Sequence, residues 1–413
     1  MRVVYVNPVG LLGGAELSLL DLMAAVGEAR PDLQRHLIVG TEGPMAERAR
    51  NFGIEVHALL MPQRISGLGD SALGGGPALL SLLSFAARSA PEAGAAYLYA
   101  RRLRSLLDKL SPHIIHSNGI KTHCLLSVMK PQKAPVVWHV RDFLGSRALM
   151  SKVLRWASSG AAAAIAISEA VRQDTVRVMR SVPVAKMYDA IDIAAFSPGE
   201  ADGASLDREA GLPCSRQGTI RIGLVATYAR WKGQVLFLEA AALLARRCPE
   251  LPLRFFIIGG PIYHTAGSQF SSAELNARIS SLGLSECAGL VPFQSDPAHV
   301  YRKLDVVVHA STKPEPFGRT IAEAMSCERP VIISRAGGAI ELVRDGEDAL
   351  SFIPNDAESL AGAMEALAVD PALRLRIARA ARGAAIERFS RPRLGREVLA
   401  FYDEVHASAR VPQ

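Results

Sequence analysis

The chain has 413 residues, 49% of them hydrophobic and 21% charged. That length suits two or three domains, and that balance excludes a disordered polymer. The net charge of +7 is uneven: residues 1–195 hold 22 Lys and Arg against 15 Asp and Glu, while the remainder holds 25 of each. The basic residues are not interleaved with aromatics, which argues against nucleic acid. Two readings remain, a solvated basic surface or attraction to an anionic partner such as a membrane face or a phosphate-bearing acceptor.

The opening MRVVYVNPVG reads as a strand and turn rather than a signal peptide. Val3–Val6 is followed by a glycine turn and a helical pattern from about Ala15 to Val26. In that turn, Gly10, Gly13 and Gly14 let backbone amides approach a ligand, although the spacing is not GxGxxG. The stretch Leu59 to Leu110 departs from the strand–helix rhythm. It contains the longest run without charge or His, Ser71–Ala87, broken by Gly-Gly-Gly-Pro. Only about ten residues follow Pro77, too few to span a bilayer. The basic run Arg101, Arg102, Arg104 and Lys109 suits either a helical pair with one solvated face or an insertion lying on a membrane or lipid acceptor.

Further strand-like runs are Ile114–His116, Val136–His139 and Ala164–Ile167. Phe196 to Gly218, rich in Pro, Gly, Ser and charge, reads as a linker. A second series follows with Ile220–Val225, Arg254–Ile258, Leu290–Phe293, Val306–His309 and Val331–Ser334. Short apolar runs alternating with helices indicate an α/β chain of two doubly wound, Rossmann-like domains. Their ligands are expected outside the carboxyl ends of the strands, in a cleft between the domains. The five cysteines (Cys124, Cys214, Cys248, Cys287 and Cys327) lack CxxC spacing. No disulfide framework or zinc site is expected from them, and a cytoplasmic location is.

The most informative segment is KPEPFGRTIAEAMSCERPVIIS, from Lys313 to Ser334. Pro314 and Pro316 stiffen the loop, and Gly318 permits close backbone approach. A helix starting near Arg319 presents its first N–H groups, at Arg319 and Thr320, as an anion site fit for a diphosphate. Glu323, one turn in, can accept two hydrogen bonds from a ribose diol. Glu315, in the loop ahead, can reach a sugar beyond the diphosphate.

This segment resembles the E-x7-E signature of retaining glycosyltransferases of the GT-B fold, family 4 type. Arg335 to Glu341 and Asp345-Gly346 are also similar to that family, and the likeness extends weakly over nearly the whole chain. The resemblance implies an N-terminal acceptor-side domain (residues 1–195), a linker (196–218) and a C-terminal nucleotide-sugar-binding domain (219–385). A final helix within 386–413, about Arg391 to Ala407, would pack back on the N-terminal domain. It implies that Lys232, in Trp231-Lys232-Gly233-Gln234, neutralises the diphosphate. The family's arginine five residues earlier is Thr227 here, with Arg230 nearby as a substitute. His139 becomes a candidate for the donor sugar, with Arg141 and Asp142 either on the acceptor or pairing with each other. Gly13 and Gly14 fall in a loop that lines the site. Gly259 falls in a turn near the nucleotide, Phe293 where the backbone meets the base, and Phe317, Gly318, Arg319, Thr320 and Glu323 around the phosphates and ribose. Asp189-Ala190 stands where the family has Asn-Gly and is given no catalytic role.

No two aspartates are separated by one residue, and no His/Cys cluster is evident, so neither metal nor cofactor is expected beyond the donor substrate. The expected reaction is metal-independent, retaining transfer of a hexose-type sugar from a nucleotide diphosphate sugar. The expected acceptor is a glycan or lipid-linked molecule of cell-surface polysaccharide or glycolipid synthesis, met at the cytoplasmic face of an anionic membrane. Two alternatives remain, a nucleotide-sugar epimerase of the same shape and a non-catalytic donor-binding scaffold.

Overall fold

The structure, a computed structural model, describes residues 1–62, 93–129, 134–146, 148–261 and 267–410. Ser71–Ala87, and residues 63–92 of the Leu59–Leu110 stretch, lie outside the described residues. The chain divides into two compact units, Met1–Ala190 with Arg391–Gln413, and Ile191–Ser390.

The first unit is built on seven parallel strands: β1 (Arg2–Asn7), β2 (Gln34–Val39), β3 (Glu55–Ala58), β4 (Ile114–Asn118), β5 (Val136–Val140), β6 (Ala163–Ala166) and β7 (Val184–Lys186). Their order is β3-β2-β1-β4-β5-β6-β7. The central strands are buried along nearly their whole length, as parallel strands covered on both faces must be. On one face Val3, Tyr5, Leu37 and Val39 pack with Leu19, Leu22 and Val26 of helix Gly14–Ala29 and with Leu394, Val398 and Tyr402 of helix Arg391–Ser408. Arg391 also pairs with the buried Asp21 at 2.6 Å. The C-terminal helix therefore completes the core of this unit.

The second unit has six parallel strands: β8 (Ile220–Val225), β9 (Leu253–Ile258), β10 (Ala288–Val291), β11 (Val306–His309), β12 (Val331–Ser334) and β13 (Leu350–Phe352). Their order is β10-β9-β8-β11-β12-β13. Ile222, Leu224, Phe255, Ile257 and Val308 form its core with Phe237, Leu360 and Met364 from flanking helices. In each sheet the strand order reverses once, between β1 and β4 and between β8 and β11. Loops leaving those strands frame the crevice where doubly wound sheets take ligands.

The stretch 196–218 is part of the second unit rather than a bare linker. It contains helix Ala204–Glu209, buries Phe196 beside Tyr301, and ties Asp207 to Arg221 at 3.0 Å. The strand expected at Leu290–Phe293 ends at Val291. Pro292, which has no N–H for a ladder, follows it, and Phe293 is 68% exposed.

Candidate active site

Lys232 and Glu315 meet at the switch point of the second sheet. Lys232 ends a short turn, Arg230–Lys232, that follows β8, and Glu315 lies in the loop after β11. Lys232 Nζ donates to Glu315 Oε2 at 2.8 Å and lies 4.0 Å from the centre of the Trp231 ring. The turn is fixed by Gly233, whose φ of +81° is left-handed. A Cβ there would lie 1.9 Å from the Ala310 carbonyl oxygen. No other residue fits so close to the chain leaving β11.

Glu315 is buried, 7% exposed, and its Oε2 also accepts from Ser311 Oγ at 2.9 Å and lies 3.1 Å from His309 Nε2. Burial pushes the carboxyl up. The Lys232 charge and His309 outweigh it and hold the group well below the ordinary carboxylate range. Its main chain is clamped as well, because Gly338 N–H donates to the Glu315 carbonyl at 2.7 Å. Beside it Gly337, with φ +67°, passes so near that a Cβ would sit 2.5 Å from that oxygen. His309 and Ser311 escaped sequence reasoning. Their only signal is a polar side chain at the carboxyl end of an otherwise apolar strand.

Helix Arg319–Ser326 begins after Gly318, which has no side chain to cap it. Its first turn, with Arg319 and Thr320, retains the anion-attracting end of a helix. Glu323 is 5% exposed. Its Oε2 accepts from Tyr301 OH at 2.9 Å and its Oε1 from Arg319 Nε at 2.7 Å. Tyr301, from helix Pro297–Arg302, carries no sequence signal that links it to Glu323. Burial and then the Glu323 charge push its phenol well up, so it stays a donor.

Not every expected residue joins this group. Arg230 donates to Glu274 at 2.6 Å and to the Gly267 carbonyl at 3.1 Å, and lies over the Phe270 ring at 4.3 Å. Both its Nε and its Nη2 are engaged in these contacts. Thr227 keeps a buried hydroxyl without a hydrogen-bond partner among the described residues. The Phe317 ring is 4% exposed and packs edge-on against Phe389, so this residue can offer a ligand only its backbone. Gly259 follows β9 and donates its N–H to Val291 O at 3.0 Å.

In the first unit, Gly13 caps helix Gly14–Ala29 through its backbone, and Gly14 has open space where a Cβ would stand. His139 lies on β5, 2% exposed. Arg141 Nη2 donates to His139 Nδ1 at 3.2 Å, and His116 Nε2 lies 3.1 Å from the same atom. Arginine cannot accept, so Nδ1 is the acceptor and the His139 proton sits on Nε2. His116 then donates from Nε2 and accepts at Nδ1 from Tyr402 OH at 2.7 Å. His139 Nε2 has no hydrogen-bond partner among the described residues. Burial first, then the Arg141 charge, pushes this imidazole well below 6.5 and keeps it neutral. Arg141 pairs with both oxygens of Asp189 at 2.8 Å, while Asp142 accepts from its neighbour Phe143 N at 2.8 Å. Asp189, set aside on the sequence, is thus what holds Arg141.

A family model for glycosyl transferases group 1 matches residues 215–384, and one for glycosyltransferase family 4 matches residues 44–194. The D-inositol 3-phosphate glycosyltransferase of Rhodococcus erythropolis is 33% identical over 183 residues, 44% of this chain and 39% of that one. The one from Saccharomonospora viridis is 30% identical over 241 residues, 57% and 54%. The chain thus spans about half the length of the curated relatives it matches. Among solved structures, Anabaena HepE in complex with UDP and glucose has a TM-score of 0.77 at 23% identity, covering 98% of this chain and 100% of that one. Sucrose-phosphate synthase from Thermosynechococcus elongatus gives 0.73 at 17%, covering 98% and 99%. The two family models together put the chain in the class of the glycosyltransferases, on a GT-B fold of two Rossmann-like domains. Within it, the chain belongs to the family 4, group 1 type.

Proposed function

We propose that this chain transfers a hexose-type sugar from a nucleotide diphosphate sugar to a glycan or lipid-linked acceptor, with retention and without a metal. The observation that carries this reading is the Lys232–Glu315 pair at the switch point of the second sheet, with the uncapped helix start at Gly318–Thr320 next in the chain and Glu323 one turn on. Lys232 and the amides of Arg319 and Thr320 meet the charge that grows on the departing diphosphate, which is where fixed positive groups lower a barrier most. Glu323, held by Tyr301 and Arg319, accepts from the ribose diol. Glu315 accepts from sugar hydroxyls and sets the direction of Lys232. Neither is assigned as a general base. His139 presents a neutral Nε2–H suited to a sugar hydroxyl. HepE, crystallised with UDP and glucose, supports a nucleotide-sugar donor and makes UDP-sugars the first to test.

An acceptor that carries phosphate or lipid, in cell-surface polysaccharide or glycolipid synthesis, is supported by two features. The curated relatives are named for D-inositol 3-phosphate. The first unit also exposes Tyr97, Leu98, Val128 and Trp156 on neighbouring helices that bear the exposed Arg101, Arg102, Lys152 and Arg155. Aromatic and basic side chains together suit peripheral contact with an anionic membrane at its cytoplasmic face. Among the described residues no helix is long and apolar enough to cross a membrane.

The test is a panel of nucleotide sugars with EDTA present, following release of nucleotide diphosphate and the configuration of the product by NMR. Turnover with the α- or β-configuration of the donor kept is expected. Absence of both donor binding and turnover, inversion, or a requirement for added Mg2+ or Mn2+ would overturn it. Binding without turnover over a broad acceptor set would favour a scaffold, to which Thr227 and the engaged Arg230 lend support. An epimerised donor in the absence of acceptor would favour an epimerase.

A further inference from the structure

On the edge of the first sheet, the fold assembles a group that the sequence hides. His36 lies on β2, and Glu55 and His57 lie on β3, the edge strand. His36 is the register partner of Glu55. Residues two apart on a strand face the same side, so His57 joins them. His36 Nδ1 lies 3.3 Å from His57 Nε2 and 3.2 Å from Glu55 Oε2, and His57 Nε2 lies 3.4 Å from Glu55 Oε1.

With Glu55 ionised, no placement of protons makes all three contacts hydrogen bonds. If both rings carry N–H toward Glu55, the two N–H groups face each other at 3.3 Å. If one ring turns its lone pair inward instead, that lone pair faces a carboxylate oxygen. A cation removes the conflict, because all three groups then act as donors of lone pairs. The spacing also fits one. Zinc–nitrogen and zinc–oxygen bonds of about 2.0–2.1 Å in a tetrahedron separate neighbouring ligands by about 3.3–3.4 Å. The ligand atoms of the three residues all lie within 4.8 Å of one another.

We propose that His36, Glu55 and His57 form a site for one divalent transition-metal ion of the zinc class, joining the edge strand β3 to β2. Two imidazoles and one carboxylate favour zinc over magnesium, which demands oxygen ligands in an octahedron. His36 is 8% exposed and gives the site a fixed wall, while the Glu55 side chain is 64% exposed and leaves a path for the ion. With three protein ligands, the fourth position is left to water. None of its residues takes part in the proposed transfer chemistry. Its predicted effect is on the stability of the first sheet, since an ion that binds only the folded chain stabilises it by mass action.

The experiment uses the full chain, stripped with a chelator, desalted, and titrated with Zn2+ against a chromophoric competitor. The wild type, His57→Gln and Glu55→Gln are compared, with circular dichroism to verify folding. One Zn2+ per chain is expected. His57→Gln should weaken it about tenfold or more, since even outer partners of metal ligands are worth about 10–100-fold. Zn2+ should raise the melting temperature of the wild type more than that of His57→Gln. Equal zinc affinity in all three folded chains would overturn the proposal, because the ion would then sit elsewhere. So would a wild type that takes up no zinc, or one that binds Mg2+ as tightly as Zn2+.

Discussion

Replacing Lys232 with Ala removes the positive partner of a buried carboxylate, and the consequences can be scaled. At 2.8 Å, two unit charges in an effective dielectric of about 20 attract by about 6 kcal/mol. Most of that offsets the cost of taking Glu315 out of water, and His309 and Ser311 stay behind to solvate it. Breaking a buried pair costs about 3–5 kcal/mol where nothing remains. Here Lys232 keeps 21% of its side chain exposed, so a loss of about 2 kcal/mol is expected in denaturant melts. A carboxyl held below its ordinary 4.5 adds stability that is present above that pH and disappears as the pH falls through the lowered value. Without Lys232 the carboxyl rises toward 4.5, so the variant should unfold in acid at a higher pH than the wild type.

The kinetic consequence is separate. Removing one preorganised group from developing charge costs about 100- to 1,000-fold in turnover. Steady-state assays with the preferred nucleotide sugar should show that fall in kcat, with a smaller change in KM. A Lys232→Ala chain that keeps kcat within threefold of wild type, yet loses the expected stability, would show that the pair is structural and the diphosphate lies elsewhere.

Glu323→Ala should act mainly on donor binding, raising the KM for the donor about tenfold or more with a lesser effect on kcat, as measured by calorimetry and kinetics. Tyr301→Phe should reproduce a milder form, since it removes one of the hydrogen bonds that hold the Glu323 carboxylate. Gly233→Ala should cost well over about 1 kcal/mol in thermal melts, because it combines a left-handed φ with a clash against Ala310. Arg230→Ala should leave kcat within threefold, given its engagement with Glu274 and Phe270; a drop as large as that of Lys232→Ala would show that Arg230 turns to the diphosphate during turnover. Tyr402→Phe should lower kcat while the chain still folds, because His116 loses the donor that fixes the orientation of His139; unchanged kinetics would remove His139 from the site.

The strands at the centre of each sheet were legible because parallel strands buried on both faces are written as unbroken apolar runs. Ile220–Val225, Val306–His309 and Val331–Ser334 needed no adjustment. β2 was hidden by its polar start, Gln34-Arg35-His36, and β3, β7 and β13 by being three- or four-residue edge strands. The site divides along the same physical line. Glu315, Gly318 and Glu323 could be singled out because a loop and the helix after it keep candidate groups at a fixed sequence spacing. The contacts that hold them, and those around His139, could not, although Lys232 itself was placed at the diphosphate by resemblance. Tyr301 reaches Glu323 from 22 residues away, Lys232 reaches Glu315 from 83, and Tyr402 reaches His116 from 286. Each of those contacts exists only because the sheet order brings separate strands or helices together, and no local pattern records it. The Arg141–Asp189 pair makes the point from the other side. Pairing with neighbouring Asp142 was one of two readings of the sequence, but that carboxylate accepts from the Phe143 N–H, and the guanidinium reaches across 48 residues to Asp189. Sequence spacing therefore locates groups that one loop presents, while the charges that tune them must be sought on the adjacent strand of the switch point.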